Sequence, residues 1–220
     1  MASLELHTPQ ARVSSPDRPD SMVFDLDPGP GATILDCCRV GLDLRGLLAE
    51  LGLESVAKTS GSKGLHLAVP LHTDTTDEDT KGFARAAGQL LAKREPERVT
   101  VIMRRDERSG KVFVDWSQND RHKTTVCAYS LRGRPRPLVS TPVSWDEVEK
   151  CFKAKDPSLL VFDSGQVLKR VEKLGDPFAP VIKKKQKLPK SLLQATGGAA
   201  ALEKMANRRH SGGGRRYPPQ

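Results

Sequence analysis

The stretch VFDLDPGPG, residues 23–31, places two aspartates one residue apart within a run of strand-forming side chains. Side chains alternate across a β-strand, so Asp25 and Asp27 share one face while Phe24 and Leu26 point the opposite way. Two carboxylates at this spacing resist joint ionisation unless a cation lies between them, and hard divalent cations prefer carboxylate oxygen. The stretch therefore predicts a strand with one apolar face and one metal-binding face. A strand whose aspartates are merely solvated before a turn is the alternative.

The composition favours a folded protein with an anionic partner. The chain has 220 residues, of which 37% are hydrophobic, enough for one sizeable domain or two small ones. Its formal net charge of +9 favours partners such as nucleic acids or nucleotides, although an excess of basic residues can also serve solubility alone. Four cysteines without paired CxxC spacing predict reduced, mostly buried thiols.

The amino terminus and the hydropathy pattern predict a cytoplasmic protein. No apolar run approaches the roughly 18 residues of a membrane span. The first residues, MASLELHTPQ, have no basic segment followed by an apolar core. We therefore expect neither a membrane partner nor a secretion signal.

Hydrophobic periodicity and end signals predict alternating strands and helices. ESVAKTS and LHLAVPL are typical of short strands, and the intervening glycines of GSKG allow a tight turn. Ser144 and Glu147 have the spacing of a capping box at a helix start. The predicted elements are a strand at 23–27, a helix at 33–51, strands at 54–60 and 65–71, a helix from Thr75 or Thr76 to residue 94, a strand at 111–118 and a shorter helix after Ser144. This order predicts a mixed α/β domain.

Beyond residue 180 the composition changes. Lys, Arg, Gly and Pro become frequent, and apolar periodicity is lost. We therefore predict one domain at residues 1–180, followed by a basic and mostly disordered tail at residues 181–220.

A third aspartate stands in another predicted strand. In KVFVDWSQ, Val112 and Val114 alternate with Phe113 and Asp115, and a polar segment follows. Three strand-borne carboxylates that face one cleft can hold two magnesium or manganese ions. Spacing alone does not bring Asp115 to the first pair, because a single aspartate in a strand is also a common end cap.

Four separated motifs carry a resemblance to a known family. FDLDPGPG, KTSGSKGLHLAVPL, KVFVDWSQN and KTTVCAYSLRGRPRPLVSTPVSWDEV resemble, in this order and at similar spacing, the polymerase domain of bacterial DNA ligase D. That domain belongs to the archaeo-eukaryotic primase superfamily, and the resemblance covers roughly residues 3–180. It implies an α/β fold in which a mixed-sheet, primase-like catalytic core with RRM-like elements is flanked by helices.

The resemblance also implies roles for individual side chains. A glycine loop and the strand after it present a hydroxyl, an ammonium group and an imidazole to the triphosphate, and arginine binds phosphate oxygens bidentately. The expected ligands of the two metal ions are Asp25, Asp27 and Asp115. The expected nucleotide-binding residues are Ser60, Lys63, His66, Arg132, His7, Gln118 and Arg108.

The implied activity is template-directed nucleotidyl transfer with two Mn²⁺ or Mg²⁺ ions. A primer 3′-hydroxyl would attack the α-phosphorus of a bound nucleoside triphosphate, with ribonucleotides preferred. The resemblance implies gap filling or end extension in double-strand-break repair by non-homologous end joining. The implied partners are DNA with gaps or ends, the Ku protein and a separate DNA ligase, at the nucleoid of the bacterial cytoplasm.

Two alternatives stay open on the sequence. Members of the family carry a further lobe before the LELH segment that grips DNA, so this chain could bind nucleotide or DNA without turnover. A phosphatase of the haloacid dehalogenase type also uses a DxD after an apolar strand, with the first aspartate as nucleophile. That phosphatase motif expects Thr or Val where this chain has Gly29.

Overall fold

The computed structural model describes residues 4–71, 74–189 and 198–210, and a six-stranded mixed β-sheet forms the centre. The strands of this part of the chain are β1 (His7–Thr8), β2 (Ala11–Arg12), β3 (Ser15–Pro19), β4 (Ser21–Pro28), β5 (Val56–Thr59), β6 (Leu65–Pro70), β7 (Val99–Thr100), β8 (Val112–Asp115), β9 (Thr125–Val126) and β10 (Pro142–Val143). The α-helices are α1 (Ile34–Glu50), α2 (Asp77–Arg94), α3 (Trp145–Ala154), α4 (Ser164–Leu174), α5 (Pro180–Lys183) and α6 (Gly198–His210). The mixed α/β class predicted from the sequence is confirmed.

The central sheet has the strand order β10-β5-β6-β4-β8-β7. Neighbouring strands are antiparallel except β7 and β8, which run parallel. Strand β4 contains the predicted DxD strand and pairs with β6 on one side and β8 on the other. Phe24 and Leu26 are fully buried, as the alternation predicts. The predicted hairpin of β5 and β6 is also confirmed.

Both long helices pack on the apolar face of the sheet. A Cβ at Gly41 of α1 would lie 3.0 Å from a methyl carbon of Leu65 and 3.6 Å from one of Leu26. A Cβ at Gly88 of α2 would lie 3.3 Å from a methyl carbon of Val114, the register partner of Leu26. Glycine at these two positions lets each helix approach the sheet closely. The aspartates of β4 point to the opposite face.

Side-chain caps set the starts of the predicted helices. Thr76 and Asp79 form a reciprocal capping box at the start of α2, and Ser144 and Glu147 form another at the start of α3. Each box satisfies backbone N–H groups that have no partner within the helix. The helices predicted after residue 33, after Thr76 and after Ser144 are therefore confirmed.

Strand β8 is shorter than predicted. The sequence suggested a strand at 111–118, but the strand ends at Asp115 and a 3-10 turn follows at Trp116–Gln118. The carboxylate of Asp115 accepts a hydrogen bond from the backbone N–H of Ser117 and so turns the chain away from the sheet. Local side-chain bonding of aspartate thus overrides the strand pattern.

Parts of the region after residue 180 pack against the domain at residues 1–180. Gln186 donates to the backbone carbonyl of Glu54 at 2.9 Å, and Leu188 is buried. Helix α6 packs on α2, with Leu202 fully buried. The small and apolar side chains of AAAL supply the packing face of this helix. These few apolar residues stand in a segment rich in Lys, Arg and Gly, so its overall composition suggested disorder. For residues 190–197 and 211–220 the predicted disorder lies outside the described residues.

The cysteines form no disulfide bonds. All four cysteines are free thiols, with Cys37, Cys38 and Cys151 buried and Cys127 partly so. Within residues 4–71, 74–189 and 198–210, no helix combines the length and apolar character that a membrane crossing requires.

The close approach of α2 to the sheet gives a stability prediction. A side chain at Gly88 would collide with Val101, whereas Gly82 in the same helix faces open space. We expect Gly88→Leu to lower the free energy of unfolding by about 1–3 kcal/mol through overpacking. We expect Gly82→Ala to raise it by roughly 0.5–1 kcal/mol through helix propensity. Urea unfolding followed by circular dichroism measures both, and equal stability of the two variants would contradict the packing described above.

Candidate active site

One row of polar side chains crosses four strands on the face of the sheet opposite to α1 and α2. Asp25 of β4 is the register partner of His66 in β6 and of Asp115 in β8. His66 is in turn the partner of Lys58 in β5. Residues directly opposite each other in a sheet share a face, so these four side chains form one line, here called the polar row.

Asp25 occupies the middle of the polar row and is largely buried. Nε2 of His66 lies 3.1 Å from Oδ1 of Asp25, yet within the described chain this oxygen receives no well-aligned hydrogen bond. Burial opposes the charged form of Asp25, but His66 and Lys58 outweigh burial and hold the pKa of Asp25 below its ordinary value. Asp25 is therefore an ionised carboxylate with one poorly satisfied oxygen.

Asp27 lies two residues further along β4, on the same face as Asp25. Its register partner in β8 is Phe113. Partial burial, followed by the negative charges of Asp25 and Asp115, raises the pKa of Asp27 to about 6. The repulsion that the DxD spacing predicted is thus present in the folded protein, and Asp115 contributes to it.

Asp115 ends β8 and holds the turn that follows. Its Oδ1 accepts hydrogen bonds from the N–H of Ser117 at 2.9 Å and from the Ser117 hydroxyl at 2.6 Å. Its Oδ2 accepts from Nε2 of Gln118 at 3.0 Å, so Gln118 contacts the site through Asp115. Across the described ranges, no three Asp, Glu, His or Cys side chains are grouped tightly enough to make a ready-formed metal site.

The glycine turn between β5 and β6 lies beside the carboxylates. The hydroxyl of Ser60 accepts a hydrogen bond from the N–H of Gly64 at 3.0 Å and closes the turn. Gly61 has φ +69°, and a Cβ there would lie 2.7 Å from a backbone nitrogen, so the turn requires glycine. A Cβ at Gly64 would lie 3.4 Å from Oδ1 of Asp27. Lys63, the residue before Gly64, is exposed on this turn.

Arg132 and His7 both contact the carboxylate of Glu5. Nη1 of Arg132 donates to the carbonyl oxygen of Ser60 at 2.8 Å, and its Nε lies 3.3 Å from Glu5. Glu5 also lies 3.1 Å from Nε2 of His7 and accepts from the N–H of Gly133 at 2.8 Å. The hydrogen bond from Gly133, followed by the contact with His7, lowers the pKa of Glu5 to about 2. Glu5 therefore links the two predicted nucleotide-binding residues.

Arg108 approaches Asp27 from the other side. Its guanidinium carbon lies 3.6 Å from the ring centroid of Phe113, the register partner of Asp27. Nη2 of Arg108 donates to the carbonyl oxygen of Met103, while its buried Nε has no hydrogen-bond partner among the described residues. The charge of Arg108 opposes the rise in the pKa of Asp27, although burial and the neighbouring aspartates prevail.

Sequence reasoning missed three residues that support this arrangement. Lys58 is buried in the polar row, and Glu5 links Arg132 to His7. The amide of Asn119 bonds both backbone groups of Val23, at 2.8 and 2.7 Å. Asn119 thereby continues the hydrogen bonding of β4 beyond the last pair with β8. Two of these residues had a signal in the sequence: Asn119 is a polar residue directly after DWSQ, and Lys58 is a lysine inside the strand pattern ESVAKTS.

The carboxylate face has the chemistry that a divalent cation requires. Asp25 has a buried oxygen without a well-aligned donor, and Asp27 has a raised pKa because of burial and nearby negative charges. A hard cation would relieve both effects, and carboxylate oxygens are the ligands that Mg²⁺ and Mn²⁺ prefer. The donor set therefore fits either metal.

The turn after β4 does not fit the phosphatase alternative. A Cβ at Gly29 would lie 1.8 Å from the carbonyl oxygen of Arg108. The Thr or Val that the phosphatase motif places two residues after its second aspartate therefore has no room.

Known proteins share this sequence over most of its length. The family model described as LigD, primase-polymerase domain, matches residues 1–178. The multifunctional non-homologous end joining protein LigD of Mycolicibacterium smegmatis is 43% identical over 182 residues, which are 82% of this chain and 23% of that protein. The Pseudomonas aeruginosa protein of the same name is 36% identical over 202 residues, covering 90% of this chain and 23% of the relative.

A solved structure is similar in fold as well as in sequence. It is the polymerase domain of Mycobacterium tuberculosis ligase D in complex with DNA, with a TM-score of 0.74 and 39% identity. The match covers 83% of this chain and 64% of that one. This chain thus spans 23% of the length of the two curated relatives and less than two thirds of the solved domain. By its family match and its fold, the chain belongs to the LigD primase-polymerase domain family.

Proposed function

We propose that this chain catalyses template-directed nucleotidyl transfer. A primer 3′-hydroxyl would attack the α-phosphorus of a nucleoside triphosphate, forming a phosphodiester bond and releasing pyrophosphate. The observation that carries the proposal is the register that places Asp25 opposite Asp115, with Asp27 on the same face. Membership of the family and the DNA-bound state of the solved relative support it.

The proposed biological setting is double-strand-break repair. The relatives are named for non-homologous end joining, in which a polymerase would fill gaps or extend ends. The proposed partners are DNA with gaps or ends, nucleoside triphosphates with ribonucleotides preferred, Ku and a separate DNA ligase. The proposed location is the bacterial cytoplasm, at the nucleoid.

We assign two Mn²⁺ or Mg²⁺ ions to Asp25, Asp27 and Asp115. Such ions, when bound, would lower the pKa of the primer hydroxyl and offset phosphate charge. Asp25 is held ionised by its neighbours in the polar row, and Asp27 needs a nearby positive charge to ionise fully at neutral pH. The third carboxylate, that of Asp115, is held at the end of β8 by the hydrogen bond from Gln118.

Basic groups around the glycine turn are suited to the triphosphate. Lys63 is exposed there. The side chain of Arg132 is only 19% exposed, and its guanidinium donates to the carbonyl oxygen of Ser60 in the turn. A fixed guanidinium binds phosphate oxygens bidentately and offsets the charge that develops on pyrophosphate. Arg108 and His7 extend the basic border on either side. His66 faces Lys58 and Asp25 with its two ring nitrogens, so we assign it to the support of Asp25.

Primer extension tests the proposed function. The chain is incubated with Mn²⁺, a gapped and 5′-phosphorylated DNA and ribonucleoside triphosphates, beside the Asp27→Asn variant. Extension that the variant lacks would support the assignment. Nucleotide binding that depends on Mn²⁺, with no extension, would show a chain that binds without turnover and would overturn the proposal.

Asp115→Asn gives a second kinetic prediction. Loss of one carboxylate removes a charge that the reaction needs, and we expect the rate of transfer to fall by about 10²–10³-fold. Asp146→Asn is the matched control, because Asp146 is exposed on α3, away from the sheet face. Primer-extension rates measure the change, with circular dichroism to confirm that both variants fold. A wild-type rate for Asp115→Asn would remove Asp115 from the site.

Asp27→Asn should also stabilise the metal-free protein. The pKa of Asp27 is about 6 in the folded chain, above its ordinary value of 3.8, so its ionisation above pH 6 opposes folding. We expect the variant to raise the Tm at pH 7.5 by about 2–4 °C, after allowance for solvent screening. The gain should shrink between pH 6 and pH 4, where the wild-type carboxyl becomes protonated. Calorimetry in chelator measures it, and an unchanged Tm at pH 7.5 would contradict the electrostatic conflict at Asp27.

A further inference from the structure

Lys58 is a buried basic residue that the proposed reaction does not use. It is 4% exposed and lies in β5, between the edge strand β10 and β6. Its Nζ lies 3.2 Å from Nδ1 of His66 and donates to Oγ of Ser140 at 2.8 Å. Burial lowers the pKa of Lys58 to about 7, so the folded protein bears a cost for keeping it there. Its contacts therefore point to a purpose other than solubility.

The hydrogen bonds of Ser140 fix the direction of these contacts. The hydroxyl of Ser140 gives its own hydrogen to the carbonyl oxygen of Thr59, at 2.9 Å. Its oxygen must therefore accept from Lys58, and Nδ1 of His66 is the second acceptor beside Lys58. The ammonium group of Lys58 has three N–H bonds and no lone pair, so it can donate to both atoms but cannot accept from either.

His66 consequently carries its ring hydrogen on Nε2. That atom lies 3.1 Å from Oδ1 of Asp25, and the other tautomer would set two lone pairs against each other at this distance. Lys58 and Asp25 thus contact the two ring nitrogens of His66 from opposite sides, at 3.2 and 3.1 Å. The ring is 5% exposed and packed within the sheet.

We propose that Lys58 is a positioning residue for Asp25. It fixes the tautomer and orientation of His66, and His66 in turn holds the carboxylate of Asp25 on the open face of the sheet. Outer partners that orient metal-binding side chains act in this way at many metal sites, where their loss costs about 10–100-fold in metal affinity or activity. The effect on transfer rests on the proposed function, whereas the tautomer of His66 does not.

Nitrogen NMR of the free wild-type chain tests the first step without any metal or substrate. The ¹⁵N shifts of His66, assigned by comparison with His66→Gln, distinguish the two neutral tautomers. We expect the hydrogen on Nε2. A hydrogen on Nδ1 would overturn the proposal, whether or not any Lys58 variant folds.

A double-mutant cycle tests the second step with Mn²⁺ alone as the probe. We expect Lys58→Met to weaken Mn²⁺ binding by about 10–100-fold, and to lower kcat similarly with KM for DNA unchanged. If Lys58 acts through His66, Lys58→Met combined with His66→Gln should bind Mn²⁺ no more weakly than His66→Gln alone. Additive losses would mean that Lys58 stabilises the fold independently and would overturn the proposal.

Two controls separate this inference from the proposed function. Lys153→Met makes the same substitution at an exposed position of α3 and should leave Mn²⁺ affinity unchanged. A wild-type chain that binds Mn²⁺ but extends no primer would contradict the proposed function alone. Wild-type Mn²⁺ affinity in Lys58→Met would contradict the role of Lys58 alone, even with full polymerase activity in the wild-type chain.

Discussion

The pairing of β4 with a strand on each side is the constraint on which the candidate site depends. A shift of one residue in this register would turn Asp25 and Asp27 toward the helices and bring Phe24 and Leu26 to the open face. Burial of the two apolar side chains beneath α1 and α2 makes such a shift costly. The hydrophobic core thus sets which side chains meet at the carboxylate face, and Asn119 continues the bonding of β4 where β8 turns away.

The site is electrostatically uneven within a small area. Negative groups lie along β4 and at the end of β8, while positive groups border them on the glycine turn and on the segment that carries Arg132. The raised pKa of Asp27 and the lowered pKa of Lys58 are the two signs of this conflict. Burial is the largest cause of both shifts; the charges of Asp25 and Asp115 add to the rise at Asp27, whereas the charge of Asp25 opposes the lowering at Lys58. Groups of this kind commonly occur where a protein retains function at the expense of stability.

Sequence reasoning succeeded where one local rule decides the outcome. Period-two alternation located the face of Asp25, and the capping box of Ser144 located the start of α3. It could not place Lys58, because the row that Lys58 shares with Asp115 depends on how the β5–β6 hairpin pairs with β4, and β4 with β8, which are distant in the chain. The helix containing Leu202 was missed for a related reason, since its few apolar side chains become significant only against α2.

Helix α6 lies against α2, and α2 covers the face of the sheet that is turned away from the carboxylates. The last described helix therefore lies on the side of the sheet opposite to the polar row. An affinity tag, a fluorophore or a fused module joined after His210 would leave from the helical layer. Tethering the chain to a surface through that end would present the open face of the sheet to solution, where a nucleic acid could reach it without steric interference from the tether.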